Sequence, residues 1–188
     1  VKRSSRQQLE HATKKHLYRA KITIRSNHLP TRLMAIASNL KATQNSLPKE
    51  VTLVAVSKTK PNTAILEAYN AGQRVFGENK VQELVQKAEE LPKDIAWHMI
   101  GHLQTNKVKI IAPFVALIHG VDSLKLLKEI NKRAEQNNRI IDCLLQVHIA
   151  TESSKFGCGI EEVESALNQA KEFKNIRITG LMGMATFT

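Results

Sequence analysis

Apolar and polar residues fall in blocks along this chain rather than alternating one by one. Short, uniformly apolar runs begin near residues 51, 74, 96, 115, 142 and 176. Runs of this kind indicate strands covered on both faces. The stretches between them carry helical spacing. Val81, Leu84, Val85, Ala88 and Leu91 share one face, and Leu124, Leu127, Ile130 and Ala134 share another, after an Asp122-Ser123 cap. Ile160, Val163, Leu167 and Ala170 mark a third, with Glu161 and Glu162 well placed in its first turn. Gly72 and Gly120 punctuate the connections. Six βα units in succession predict an α/β protein with a parallel sheet, either doubly wound or a (β/α)8 barrel. No G-x-G-x-x-G or Walker loop follows the first strand, which weakens the nucleotide-binding, doubly wound option.

The first run has an abrupt polar end. Val51-Thr-Leu-Val-Ala-Val-Ser-Lys58-Thr-Lys-Pro61 stays apolar to Val56, then turns polar, with Pro61 placed to open a helix. In parallel sheets the chemistry gathers at the carboxyl ends of the strands, where Lys58 would stand. Side-chain alternation puts Val54 and Val56 on the same face as Lys58, while Leu53 and Ala55 face the helices. An amine held partly dry above that apolar floor is expected to lose some of its preference for charge and to act as a nucleophile toward an aldehyde. Lys60 shares the parity but lies past the strand. A lysine that simply closes a strand is the plainer alternative.

Further motifs lie at or past the ends of later runs: Phe76-Gly-Glu-Asn79, His98-Met-Ile-Gly-His-Leu-Gln-Thr-Asn-Lys107, Ser153-Ser-Lys-Phe-Gly157 and Gly180-Leu-Met-Gly-Met184. In this order, over about residues 51 to 188, they resemble the pyridoxal 5'-phosphate (PLP) homeostasis protein family, relatives of the alanine racemase barrel. The resemblance implies a (β/α)8 TIM-type barrel of PLP fold type III, truncated here to about six βα units. It implies that Lys58 forms a Schiff base with the cofactor, with Asn79, His98 and Met182 lining the pocket. Each has a plainer role: Asn79 as a turn residue, His98 as a satisfied core histidine, and the methionines as core filler, most of all Met184. Gln104, Asn106 and Lys107 would face the same rim, and Lys155 is a second candidate amine. Gln146 and His148 share parity on the fifth strand, which suggests an interior partly filled by hydrogen-bonded groups. The family's later S-M-G-M-S and R-I-G motifs, which would supply the phosphate site, do not occur before Thr188, so a C-terminally incomplete barrel is expected.

Charge is unevenly spread. Residues 1–34 hold nine Lys or Arg against one acid, Glu10, and so account for +8 of the net +11. The expected organisation is a basic segment, 1–34, disordered or non-native, followed by a PLP-binding barrel domain, 35–188, with Leu33 to Leu40 as a remnant of a helix before the first strand. The basic segment has no clean amphipathic face and no aromatic interleaving, so no nucleic-acid role is assigned. Cys143 reads as buried in a strand and Cys158 as lying in a loop, with no disulfide framework. His98 and His102 are four residues apart but straddle a strand end, so no metal site is expected. The longest apolar stretch, Ile110 to Val121, is too short to span a bilayer, so no membrane association is expected.

The leading expectation, carried by the resemblance, is a non-catalytic cytoplasmic protein, a monomer, that buffers PLP in vitamin B6 homeostasis and exchanges it with PLP-dependent apo-enzymes. The alternative is an amino-acid racemase or decarboxylase of the same barrel type. That would need a second acid/base, and the only tyrosines are Tyr18, in the basic segment, and Tyr69, in an outer helix.

Overall fold

The computed structural model describes residues 32–147, 157 and 160–183. Six strands form one sheet: β1 Ala55–Val56, β2 Val75–Glu78, β3 Ala96–Met99, β4 Leu117–Val121, β5 Ile141–Val147 and β6 Ile176–Gly183. Every neighbouring pair is parallel, and the strands follow one another in chain order, β1 to β6. A doubly wound sheet reverses its order at a switch point, whereas a barrel does not. The monotonic order therefore makes this part of a (β/α) barrel, a choice that periodicity alone had left open.

The helices are α1 Arg32–Ser46, α2 Asn62–Asn70, α3 Val81–Glu90, α4 Val108–Ile111 (continuing a 3-10 turn, Thr105–Lys107), α5 Leu124–Gln136 and α6 Ile160–Ala170. Pro61 caps α2 with φ −70°, and its carbonyl accepts the first helical bonds from Ala64 and Ile65. Ser123 caps α5, accepting from the Leu126 amide at 3.3 Å, while the preceding Asp122 pairs with His102 at 3.1 Å. α1 is longer than the expected Leu33–Leu40.

One core fills the space between sheet and helices. Phe76, Trp97, Met99, Ile118, Cys143 and Leu145 come from the strands, and Leu84, Ile111, Leu127, Ile130, Ala134 and Val163 from the helices. Leu53 and Ala55 pack against it, as the parity of β1 requires. Val54, Leu117 and Leu144 are buried outside that cluster and cover the opposite face. The pairing Val56–Gly77–His98–Leu117 runs across this inner face as one layer. Register shifts in β4, between Ile118 and Val121, and in β5–β6, between Cys143 and Leu144, re-aim the strand ends near the rim.

β1 is shorter than its apolar run suggests, since only Ala55 and Val56 pair. It has one partner, β2, among the described strands. Tyr18, His148, Lys155, Cys158 and Met184 lie outside the described residues.

Candidate functional site

Lys58 follows β1 directly, in a turn closed by the Lys60 amide donating to the Ser57 carbonyl at 3.0 Å. The Ser57 amide donates in turn to Gly77, so the turn stays against the end of β2. Thr59, the next residue, has φ +61°, a left-handed conformation that costs a non-glycine residue about 1–3 kcal/mol. Lys58 itself is exposed. This corrects the expectation of a half-dry amine: on an outer strand of the described sheet, Val54 and Val56 floor the lysine from one side only. The position at the carboxyl end of the strand is as expected.

Asn79, His98, Gln146 and Met182 each stand at or just before the carboxyl end of a strand or directly after it. His98 belongs to the inner layer. Gln146 pairs with Met182 across β5 and β6, which places both on that face. Met182 and Asn79 are half-buried. His98 and Gln146 are buried. The end of β4 and the turns after β2 and β3 approach one another closely. A Cβ on Gly101 would drive into the Asn79 carbonyl and Cα, and one on Gly120 would lie 2.9 Å from the Gly101 carbonyl oxygen. Gly101→Ala should therefore lower stability by about 1–3 kcal/mol, because backbone must move; a reduced urea midpoint at unchanged m-value is the readout.

His98 Nδ1 and His119 Nε2 are 3.0 Å apart, one imidazole donating and the other accepting. Burial pushes both down, His98 to about 3 with help from His119, and His119 to about 4. Both rings are thus neutral at ordinary pH, which makes His98 a satisfied interior histidine facing the site. Above pH 6.5 folded and unfolded chains are equally deprotonated at these rings. As pH falls from 6.5 toward about 4, the unfolded chain binds protons that the folded chain refuses. Stability should then fall by about 1.4 kcal/mol per pH unit for each imidazole. Urea midpoints measured against pH test this, and His119→Gln should flatten the slope.

A second constellation escaped the sequence reading. Glu78, fully buried, turns to the helix side of β2, where Ser57 donates to its Oε1 at 2.5 Å and Lys87 at 2.8 Å. Lys87 is 5 % exposed and also bonds Glu83 at 2.7 Å and the Ser57 carbonyl at 2.8 Å. Burial raises the Glu78 carboxyl above its usual range despite the ammonium and the hydroxyl, and its Oε2 has no hydrogen-bond partner among the described residues. Burial works the same way on Glu83 but is outweighed by Lys87 and the Thr59 amide, which hold it low. A signal for Lys87 existed: it lies three residues after Leu84 and four before Leu91, on the apolar stripe of α3.

Gln104 and Asn106 are exposed beside the turn that leads into α4. Tyr69 donates its hydroxyl to Asp94 at 2.8 Å on the outer surface, under the Arg74 guanidinium. Among the described residues, no group of three or more His, Cys, Asp or Glu could hold a metal, and no helix is long and apolar enough to cross a membrane. Cys143 is buried, and burial pushes its thiol up. Two grooves of about 530 and 290 Å³ are lined mainly by residues of α5 and of α3, respectively.

A parallel barrel sheet with a lysine closing its first strand defines a class, and residues 31–187 match the alanine racemase N-terminal domain family: the chain belongs to it. Within that family it is similar to two proteins named pyridoxal phosphate homeostasis protein. The one from Aquifex aeolicus is 44% identical over 131 residues, 69% of this chain and 58% of the relative. The one from Escherichia coli is 38% identical over 141 residues, 73% of this chain and 60% of the relative. The chain thus spans about three-fifths of the length of these curated relatives. PipY of Synechococcus elongatus, solved without PLP and with PLP bound, superposes with TM-scores of 0.78 and 0.76 at 38% identity, covering 81% of this chain and 72% of PipY. Alanine racemase from E. faecalis, at 16% identity and a TM-score of 0.65, shares the fold over 83% of this chain and 42% of the racemase.

Proposed function

We propose that this protein binds pyridoxal 5'-phosphate through Lys58 and acts in PLP homeostasis as a carrier rather than an enzyme. The observation that carries the reading is an exposed lysine just past the end of β1 in a parallel sheet in which Asn79, His98 and Met182 stand at the carboxyl ends of β2, β3 and β6. The names of the relatives and the PLP-bound PipY structure support it. The residues suit the group: a reachable amine for the aldehyde, apolar Val54 and Val56 below, and a thioether and polar side chains along the same face. When bound, PLP supplies an aldehyde that condenses reversibly with an amine. The chain supplies the amine, its place at the rim, and neutral imidazoles that add no charge to the inner wall.

A carrier fits better than a racemase or decarboxylase. Proton transfer at a substrate carbon requires an acid/base within hydrogen-bond reach of it. The Tyr69 hydroxyl is spent on Asp94 at the outer surface. A cytoplasmic monomer that hands PLP to apo-enzymes completes the proposal. The test is titration of the full-length protein with PLP, followed by an assay of α-proton exchange on a panel of amino acids. A visible absorbance band without sustained exchange is expected; exchange at ordinary enzyme rates would replace the carrier by an enzyme.

A further inference from the structure

We infer that Lys87, Glu78 and Glu83 are positioning residues that fix the Lys58 turn for reaction with an aldehyde; the inference rests on Lys58 being the PLP-binding amine. Among the described residues no hydrogen bond or ion pair orients the Lys58 side chain, yet both of its chain neighbours are tied to one buried ammonium. On one side, Lys87 binds the Ser57 carbonyl at 2.8 Å, and Glu78 bridges Lys87 to the Ser57 hydroxyl. On the other side, Lys87 binds Glu83 at 2.7 Å, and Glu83 accepts the Thr59 amide at 2.6 Å. That amide belongs to the residue at φ +61°. The network therefore holds a strained backbone in the geometry that presents the lysine.

Stability alone is a poor reason for such an arrangement. Buried ion pairs contribute little net stability compared with apolar residues of similar volume, and this one leaves a carboxylate oxygen, Glu78 Oε2, without a hydrogen-bond partner among the described residues. Apolar residues commonly replace such a pair with little net change in stability, but they could not grip both sides of the turn. Local strain kept by an over-determined surround is the pattern of a preorganised site. Among the described residues Lys87 bonds Ser57, Glu78 and Glu83. It acts through Ser57 and Thr59.

The test compares Glu83→Gln, whose site is partly exposed, and the charge-neutral double variant Glu78→Gln/Lys87→Met with the unaltered full-length protein. Two quantities are read: the rate of covalent adduct formation at saturating PLP, and the affinity for pyridoxine 5'-phosphate, which has no aldehyde. Loss of the charged hydrogen bonds that order the turn should slow adduct formation about tenfold in both variants. Affinity for pyridoxine 5'-phosphate should stay unchanged, a split that a general loss of structure would not produce. Wild-type adduct rates in either variant would overturn the inference, as would a parallel fall in rate and affinity. If the unaltered protein forms no adduct at Lys58, the site reading itself fails and the inference falls with it. An adduct in the unaltered protein with no effect of the variants defeats the positioning role alone.

Discussion

Lys58→Ala should abolish the visible band that PLP induces and weaken PLP binding by about a hundredfold, equivalent to about 2.8 kcal/mol. The expectation follows from the division of labour at the rim. Val54, Val56, Asn79, His98 and Met182 offer surface and hydrogen-bonding groups, but among them only Lys58 offers a nucleophilic amine. The side chain is exposed, so its removal opens no cavity and leaves the β1–β2 pairing untouched. Unfolding should therefore be unaffected, and a lost band cannot be blamed on a lost fold. Lys60→Ala, two residues on and also exposed, is the matched control and should keep the band.

The largest stability effect is expected from Lys87→Met, at about 3–5 kcal/mol, because it strands a buried carboxylate. Natural domains hold only about 5–15 kcal/mol in total, so the variant should approach the edge of folding at room temperature. Adding Glu78→Gln should recover most of the loss, since the amide still accepts from Ser57 and carries no charge. The sign of the pH effect is fixed by Glu78. Its carboxyl is raised in the folded state, so between the ordinary and the raised pKa the folded chain binds more protons than the unfolded one. Stability at this group therefore increases as pH falls through that window. The penalty of Lys87→Met relative to the unaltered protein should shrink toward acid pH, although the two imidazoles pull both proteins the other way. Urea unfolding of the single and double variants at two pH values gives all the quantities needed.

Much of the architecture was legible because burial imposes periodicity. Uninterrupted apolar runs marked the strands, and the stripes of α3 and α5 came through residue by residue, with Leu84, Leu127, Ile130 and Ala134 fully buried. The choice of barrel over doubly wound sheet was not legible from periodicity, because strand order is a property of pairing between distant segments. At the site, the position of Lys58 at the carboxyl end of β1 followed from the polar end of its apolar run, whereas Asn79, His98 and Met182 were singled out only through the family resemblance. The exposure of Lys58 did not follow, since it depends on which strands flank β1. The Ser57–Glu78–Lys87–Glu83 network was hidden for a different reason. A lysine on an apolar stripe reads as a solvated side chain bending toward water until its partners are found, and Glu78 comes from a strand nine residues earlier in the chain. The His98–His119 contact likewise joins two strands 21 residues apart.

The central claim is that one amine, at the end of β1, carries the cofactor. Borohydride reduction of the PLP-loaded full-length protein, followed by digestion and peptide mapping, reads this directly. The account predicts that the reduced pyridoxyl group sits on the peptide containing Lys58, in about one equivalent. Labelling chiefly at Lys60 or Lys155, with Lys58 unmodified, would contradict it.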